Sequence, residues 1–323
     1  MSIERLRALD AHLRKYDAAA WARAVETLAP AIHQVDRDAT KIWFAFFPLE
    51  LHVALSEAAD PPSMIRRLGL MGKWRLADQI DSSHRFLFAH RFWPQVKQAV
   101  AGVDAPSQDL APLAEAVADA AGRVTRADRD RLLGMAVIGL MTLRQVGADA
   151  FAAAKGDVHL TDAARNRTTT QVLAKRAKDD FQGVLGFLRG MKKRWTATFD
   201  ENDPEAKFTV FTDQELATAA QGDKRDYRSR DIRCIPGEGP IPVECRAASC
   251  GTCWVGVIGG AEKLSPVAPA DEGRRMKVFG YINSTEPTPL IRLACQARAF
   301  GAVSVVIPPW NGMIGKIKTS GPV

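Results

Sequence analysis

The sequence Cys245-Arg-Ala-Ala-Ser-Cys250-Gly-Thr-Cys253 places three cysteines in one short run with the spacing C-x4-C-x2-C. A fourth cysteine lies in the later segment Arg292-Leu-Ala-Cys295-Gln-Ala297. These four account for all but one of the five cysteines in the chain. Such clustering is typical of thiolates that bind metal in a reducing compartment, and disulfides are not expected. The two segments therefore predict a metal centre.

The amino-acid composition is that of a folded globular protein. Of the 323 residues, 46% are hydrophobic and 25% are charged, which excludes a disordered or collagen-like chain and suits two domains. The most apolar run, Leu132–Leu143, is shorter than the ~20 residues that span a bilayer, and the N-terminal sequence lacks the apolar stretch of a signal peptide. We therefore expect a soluble, cytoplasmic protein without a transmembrane segment.

The formal net charge of +7 is mild for a chain of this length. Domains that bind nucleic acid concentrate their basic residues in a patch or stripe, so no nucleic-acid partner is expected. A mild positive charge does permit docking of an acidic protein partner.

Residues 1–193 predict an all-helical domain, because apolar residues recur there with the helical period almost throughout. Pro48 is expected to kink or break one of its helices. The first predicted helical segments are 2–16, then 18–35 after an Asp17 N-cap, and then 38–51 after an Asp38 N-cap, in a helix that ends by Pro61-Pro62. The later ones are 84–100, interrupted at Pro94, then 110–124, then 125–146, opened by a capping box at Thr125–Asp128, and finally 161–193, either continuous or with a break, after a Thr161 N-cap. We expect this domain to be a docking scaffold.

The histidines of this first domain do not predict a metal site. His84 and His90 are six residues apart, so they would face different sides of one helix, and Glu50 and His52 also diverge. Neither H-E-x-x-H nor E-x-x-H occurs, so the zinc-protease and di-iron patterns are both missing. We expect these histidines to be ordinary surface or core residues.

Residues 194–323 predict a second domain of mixed α and β structure, since the apolar period changes from 3.6 to 2 at Trp195. Residues 195–199 and 207–212 alternate around a turn, which indicates a β-hairpin. The further predicted elements are a short helix 214–221, a strand 254–258, a helix 269–281 and a last strand 302–307.

This order of elements, together with three motifs, resembles the plant-type [2Fe-2S] ferredoxin domain, which has the β-grasp fold. The motifs are Cys245–Cys253, Leu264-Ser-Pro266 with the helix after it, and Arg292–Ala297, and the likeness covers about residues 194–310. It implies an α+β multidomain chain in which an all-helical domain precedes a β-grasp domain that carries one [2Fe-2S] cluster. The family usually has Gly at the position of Ala248, so the loop backbone is expected to differ slightly there.

The resemblance implies that Cys245 and Cys250 hold one iron and that Cys253 and Cys295 hold the other. The residue types suit this chemistry, because iron–sulfur clusters are held by thiolates. Small residues at 247–249, 251 and 252 would allow backbone N–H groups to point at the sulfurs. Zinc is the alternative, but tetrahedral zinc sites usually use two paired cysteine knuckles and only one occurs here.

Three features distinguish this domain from a minimal ferredoxin. Residues 222–238 carry a run of charges that is either a docking loop or, as such runs more often are, a solvated surface segment. Trp254 follows a predicted ligand and either shields the cluster from water or simply packs. Cys234 fits no ligand spacing and is expected to be an inert structural thiol.

We predict a one-electron transfer protein with no substrate chemistry of its own, and therefore no catalytic residue. Basic residues outnumber acidic ones from residue 206 onward, whereas free carriers of the family are typically acidic. This favours a relay subunit that the helical domain docks onto a larger oxidoreductase, at a cytoplasmic location or on the cytoplasmic face of a complex. The chain has no G-x-G-x-x-G or Walker A motif, so a fused flavin or NAD reductase is not expected.

Other roles remain open at this point. The chain would be a redox-sensing regulator if the state of the cluster controlled partner binding. The helical domain would mediate self-association, or would be an enzyme with a metal or haem of its own.

Overall fold

The computed structural model describes residues 2–103, 109–179, 193–279 and 286–311. By internal contacts the chain divides into two compact units. Unit 1 comprises residues 1–56 and 75–169, and unit 2 comprises residues 57–74 and 170–323. The predicted domain boundary between residues 193 and 194 stays a prediction, because the adjoining residues 180–192 lie outside the described ranges.

Helices occur along the whole described chain. They are α1 Ile3–Leu13, α2 Ala18–Leu28, α3 Gln34–Phe46, α4 Leu49–Ser56, α5 Pro61–Leu68, α6 Trp93–Gly102, α7 Leu110–Thr125, α8 Arg129–Val146, α9 Ala148–Ala153, α10 Asp162–Arg165, α11 Thr169–Lys175, α12 Leu216–Ala220 and α13 Arg274–Phe279. No helix among these ranges is both long enough and apolar enough to cross a membrane.

In unit 1 the described residues form helices and turns, as predicted, around the central helix α8. The stretch Leu132–Gln145 of α8 is buried on every side and packs against α3, α6 and α7. Gly134 allows α8 to pack closely against α3, since an added Cβ would collide with the hydroxyl group of Thr40 in α3. The most apolar run of the sequence is therefore the core of a helical unit.

Helices α2 and α3 of unit 1 differ from their predicted boundaries. Helix α2 begins at the predicted Asp17 cap, which accepts a hydrogen bond from Ala20 N at 2.7 Å, but it ends at Leu28, before Pro30. Asp38 is not an N-cap, because α3 already begins at Gln34, where the His33 ring accepts a hydrogen bond from Val35 N at 3.1 Å.

Prolines begin helices here that they were predicted to end or interrupt. Pro61-Pro62 opens α5, with Asp60 accepting from Ser63 N at 3.1 Å, and Pro94 is the second residue of α6. A proline in the first turn sacrifices no intrahelical hydrogen bond, because the first N–H groups have no partner within the helix. Pro48 does separate α3 from α4, as expected.

The two threonine caps have different outcomes. Thr125 ends α7, Arg126 turns the chain with a left-handed φ of 58°, and Asp128 is the N-cap residue of α8, so the predicted capping box is wrong. Thr161 accepts a hydrogen bond from Ala164 N at 3.2 Å, as predicted, and a break of the kind that the sequence left open separates α10 from α11. The predicted continuation to Lys193 crosses residues 180–192, which lie outside the described ranges.

The described residues of unit 2 include the strands β1 Met71–Gly72, β2 Arg194–Thr198, β3 Lys207–Phe211, β4 Gln214–Glu215, β5 Trp254–Gly259, β6 Ile291–Leu293, β7 Arg298–Ala299, β8 Val303–Val306 and β9 Trp310–Asn311. Five of them form a mixed sheet with the order β3-β2-β8-β5-β6. The predicted hairpin forms with the register Trp195↔Val210 and Ala197↔Phe208, β8 lies parallel to β2, and β5 is antiparallel to β8 and β6. This is the β-grasp arrangement that the sequence predicted.

Unit 2 also uses segments that precede the predicted second domain. Strand β1 pairs antiparallel with β9. Arg176 makes a bidentate ion pair with Glu201 at 2.9 Å, with side-chain exposures of 7% and 13%. Asp179 bonds both the Lys263 ammonium at 2.8 Å and the backbone N–H of Ala302 at 2.9 Å. Residues 57–74 and 170–179 therefore belong to the compact body that contains the sheet.

Two predicted helices of unit 2 are shorter than expected. The segment predicted as helix 214–221 begins with β4, which pairs with β7, and only then forms α12. The segment predicted as helix 269–281 begins as a π-helical turn over Pro269–Gly273 and continues as α13, and residues 280–285 lie outside the described ranges.

Candidate metal centre

The sheet brings the four predicted cysteine ligands together. Strand β5 begins directly after Cys253 and β6 ends shortly before Cys295, and the antiparallel register pairs Trp254 with Leu293. The N–H of Ala294 donates to the carbonyl of Cys253 at 2.9 Å, which ties the distant cysteine to the loop. The fold thus explains how a cysteine so far along the chain comes to lie beside the cysteines of the loop.

The four thiols form two contacting pairs. Cys245 hydrogen-bonds with Cys250, and both are half-buried, whereas Cys253 hydrogen-bonds with Cys295, and both are buried. Within the described ranges, no three His, Cys, Asp or Glu side chains form a group that could hold a single ion. Two pairs side by side are the arrangement that a two-iron cluster with two thiolates per iron requires.

Backbone N–H groups of the loop point at the sulfurs, as predicted. Cys245 Sγ accepts from the N–H groups of Ala247 at 3.4 Å, Ser249 at 3.3 Å and Cys250 at 3.3 Å, and Cys250 Sγ accepts from that of Thr252 at 3.4 Å. Such donors stabilise negative charge on sulfur.

Hydrogen bonds lower the pKa of one thiol in each pair, Cys245 and Cys295, whereas the pKa of the other thiol, Cys250 or Cys253, is raised. Burial raises the pKa of Cys245, but hydrogen bonds from the loop outweigh it and bring that pKa down to about 7. The hydrogen bond from Cys253 brings the pKa of Cys295 down to about 6, and the side-chain amide of Gln296 adds a further donor at 3.5 Å. Thiolate is the form of cysteine that binds iron.

The loop reaches this geometry through left-handed backbone conformations. Arg246 and Ala248 both have a φ of 53°, and Gly251 has a φ of 74°. Ala248 is 3% exposed, and its carbonyl accepts a hydrogen bond from Arg275 Nε at 3.0 Å. The predicted departure at Ala248 is thus an alanine in the backbone region that glycine occupies most readily.

Comparison with protein families agrees with this geometry. Residues 237–300 match the model of the 2Fe-2S iron-sulfur cluster binding domain. The C-terminal part of this chain is a [2Fe-2S] ferredoxin-type domain. Domains of this family bind a [2Fe-2S] cluster, so the chain is a 2Fe-2S iron-sulfur protein. No curated protein and no solved structure matches the chain significantly.

A buried ion pair supports the cysteine site of the ferredoxin-type domain. Glu272 has no exposed surface, and its carboxylate accepts hydrogen bonds from Nε and Nη2 of Arg292, both at 2.9 Å, and from the N–H of Leu293 at 2.6 Å. Arg292 also donates to the carbonyl of Ser265 at 2.9 Å. The helical segment before α13 is thereby fixed to the strand that leads to Cys295.

Trp254, which follows Cys253, and the fifth cysteine, Cys234, are both buried. Trp254 is 3% exposed, and whether it shields the cluster stays a prediction. Cys234 is 1% exposed and its thiol contacts the carbonyl of Pro240 at 3.5 Å. Burial raises the pKa of Cys234 to about 11, which keeps this thiol protonated, as expected for an inert structural cysteine.

The charged segment 222–238 is more ordered than its sequence indicates. The carboxylate of Asp223 accepts from Arg225 and from the Tyr227 hydroxyl, and although burial raises the pKa of Asp223, these bonds lower it to about 2. Arg233 is 7% exposed, pairs with Asp231 at 2.6 Å and donates to the carbonyl of Pro308 at 2.7 Å. The interpretation of a merely solvated charge run is wrong for these residues.

In unit 1 the predicted separation of His84 and His90 is wrong. Their Nδ1 atoms lie 2.9 Å apart, and the side chains are 0% and 3% exposed. Burial lowers the pKa of His84 well below its ordinary value and that of His90 to about 4, so both rings are neutral at neutral pH and one Nδ1–H donates to the other Nδ1. The residues between them form turns and a 3-10 helix, Phe88–Phe92, instead of a regular α-helix. Pro94 was the sequence signal that α6 begins at this point, because proline is favoured in the first turn of a helix.

Proposed function

We propose that this chain is a one-electron transfer protein in which Cys245 and Cys250 hold one iron of the cluster and Cys253 and Cys295 hold the other. The observation that carries the proposal is the division of the four thiols into two contacting pairs within a domain of the [2Fe-2S] family. When bound, the cluster supplies a site that accepts and releases one electron.

The surrounding residues support this role. The N–H groups of Ala247, Ser249 and Thr252 offset negative charge on the sulfurs, and that charge grows on reduction. The pair Cys253–Cys295 is buried, while Cys245 and Cys250 are half-buried. Electrons are therefore exchanged with other proteins at the face that carries Cys245 and Cys250.

We infer further that the protein is a relay subunit of a larger oxidoreductase and that its helical part provides the docking. The support is that residues 237–300 match a cofactor-binding family and that the predicted activity needs a separate donor and acceptor. The five cysteines, all of which lie in the described ranges, form no disulfide, which suits the reducing conditions of the cytoplasm or of the cytoplasmic face of a complex.

The ligand assignment is tested by metal analysis and by electron paramagnetic resonance (EPR). We expect about two irons and about two sulfides per chain, and a spectrum that is silent until the protein is reduced. Cys250→Ser should remove or alter the cluster spectrum, while the matched variant Cys234→Ser should leave it unchanged. An unchanged spectrum in Cys250→Ser, or a lost cluster in Cys234→Ser, would show that the assignment is wrong.

The relay role is tested by isolation of the native complex. We expect the protein to copurify with redox subunits and to be reduced and reoxidised by them during turnover. If partner binding changes with the redox state while no electron passes, the protein is a sensor and the relay proposal fails.

A further inference from the structure

The charged segment 222–238 of unit 2 carries basic side chains that are held in place by its own backbone. The ammonium group of Lys224 donates to the carbonyl of Gly237 at 2.9 Å. The guanidinium group of Arg228 donates to the carbonyl of Ile232 and, at 3.2 Å, to that of Cys234. Because carbonyl oxygens carry no formal charge, both side chains keep a full positive charge at the surface.

The acidic residues of the same segment offset only part of this charge, since Asp226 lies close to Arg230 but the other two exposed cations have no exposed carboxylate partner among the described contacts. Asp223 and Asp231 are engaged by Arg225 and Arg233, with exposures of 8% and 28% for the two carboxylate side chains. Lys224, Arg228 and Arg230 are exposed, and Asp226 is the exposed carboxylate beside them. The outer side of the segment is therefore positive, although the segment as a whole is nearly balanced.

Two large apolar side chains lie within this basic surface. Ile232 is 59% exposed and Ile235 is 42% exposed. Arg228 binds the carbonyl of Ile232 itself, so charge and apolar surface are adjacent. An apolar centre with a charged rim is the usual composition of a protein–protein contact area.

The segment is fixed with respect to the cysteine loop. Arg233 is anchored to the carbonyl of Pro308, and Glu238 makes an ion pair with Arg246 of the loop at 2.8 Å. Gly239 follows with a φ of 82° and lies so close to the carbonyl of Ala220 that a Cβ would collide with it. A protein bound to the segment would thus have a defined position relative to Cys245.

We propose that Lys224, Arg228, Arg230, Ile232 and Ile235 form a docking surface, here called the basic docking surface, for a redox protein with an acidic rim around an apolar centre. The proposal rests on the proposed electron-transfer function. Complementary charge speeds the encounter and orients the two proteins, while the isoleucines lengthen the life of the complex.

The proposal is tested with two haem proteins of opposite charge as electron acceptors. The reduced holoprotein is mixed in a stopped-flow instrument with acidic cytochrome b5 or with basic cytochrome c. We expect the rate with cytochrome b5 to fall steeply as salt is added, and the rate with cytochrome c to rise or stay level. Equal salt dependence for the two acceptors would overturn the proposal.

Variants connect this behaviour to the named residues. Lys224→Glu combined with Arg230→Glu should slow reduction of cytochrome b5 at low salt by about tenfold or more, and Ile232→Ser with Ile235→Ser should slow it without changing the salt dependence. Arg123→Glu with Val124→Ser in unit 1 makes the same kinds of change on an exposed helix face and should have no effect. Equal rates for these variants and the control would contradict the proposal.

A neutral oxidant separates this inference from the proposed function. Benzoquinone carries no charge and needs no docking surface, so it should oxidise the cluster at the same rate in every variant. If benzoquinone and both cytochromes all fail to oxidise the reduced wild-type protein, the electron-transfer function itself is wrong. If only the difference between variants is missing, the basic docking surface is wrong.

Discussion

Glu272 and Arg292 form a fully buried, bidentate ion pair, with 0% and 3% of their side chains exposed. Removing one partner leaves the other charge unpaired in the interior, which costs about 3–5 kcal/mol. We therefore expect Glu272→Ala to lower the free energy of unfolding of unit 2 by that amount and to impair cluster retention. Urea unfolding followed by circular dichroism and by the cluster absorbance measures both effects.

A double variant separates the loss of the pair from the burial of a lone charge. Glu272→Leu with Arg292→Leu removes both charges and should destabilise the protein less than Glu272→Ala does. Arg298→Ala removes an arginine from exposed ion pairs of the same unit and should have a much smaller effect. A single variant as stable as wild-type would show that the buried pair contributes nothing.

Ala248 occupies a left-handed backbone conformation that only glycine adopts without strain. Ala248→Gly should preserve the cluster. Ala248→Val should reduce the iron content, because a β-branched side chain at positive φ adds roughly 1–2 kcal/mol of strain to a loop that must donate N–H groups to sulfur. Iron content after purification and the urea midpoint distinguish the variants, and a fully loaded valine variant would contradict this reasoning.

Arg275 donates to the carbonyl of Ala248, next to the cysteines. Arg275→Gln removes a positive charge close to the site, so the reduced form becomes less favourable. We expect the reduction potential to fall by roughly 20–60 mV, which corresponds to an interaction of about 0.5–1.4 kcal/mol for one electron. Redox titration followed by EPR gives the value.

Two variants control for indirect effects at this position. Arg275→Lys keeps the charge and should keep a potential near that of wild-type. Arg274→Gln changes the exposed neighbour and should shift the potential less than Arg275→Gln. Equal shifts for Arg274→Gln and Arg275→Gln would show that the contact with Ala248 is irrelevant.

The pair His84–His90 predicts that acid destabilises unit 1. Burial lowers the pKa of His84 and brings that of His90 to about 4, whereas an unfolded histidine titrates near 6.5. The two neutral rings therefore make their full contribution to the free energy of unfolding above about pH 6.5. That contribution is lost as the pH falls toward about 4, by up to about 1.4 kcal/mol per pH unit for each ring.

Urea unfolding of wild-type and His90→Gln between pH 7.5 and 5 tests this prediction. His90 also faces Arg85, Asp81 and His159, all of which remain in the variant. The difference between the two proteins therefore isolates the buried ring, and it should shrink as the pH falls. A difference that does not change with pH would contradict the prediction.

The parts of the fold that the sequence predicted well are those governed by local pattern. The spacing of Cys245–Cys253 and the alternation in residues 195–199 and 207–212 indicated the ferredoxin-type domain, because strand alternation and ligand spacing are short-range features. The inward N–H groups at Cys245 followed from the small residues of the loop. The assignment of each cysteine to an iron stays a proposal.

The parts that the sequence did not predict depend on tertiary contacts. A six-residue spacing separates His84 from His90 on an ideal helix, yet turns before Pro94 bring them together. The charge run 222–238 was interpreted as a solvated surface segment, because nothing in the sequence shows that Arg233 donates to the carbonyl of Pro308. Tyr227 likewise becomes a partner of Asp223 only in the folded chain.

The pairing of β1 with β9 has a consequence for biosynthesis. Met71–Gly72 is synthesised long before Trp310–Asn311, so β1 has no partner until β9 has been made. All residues of unit 1, which ends at Thr169, have been synthesised by then. The two units are interleaved along the chain, so no single proteolytic cut separates one from the other. The β1–β9 pair thus forms only after residue 311 has been synthesised, later than the segments that make up unit 1.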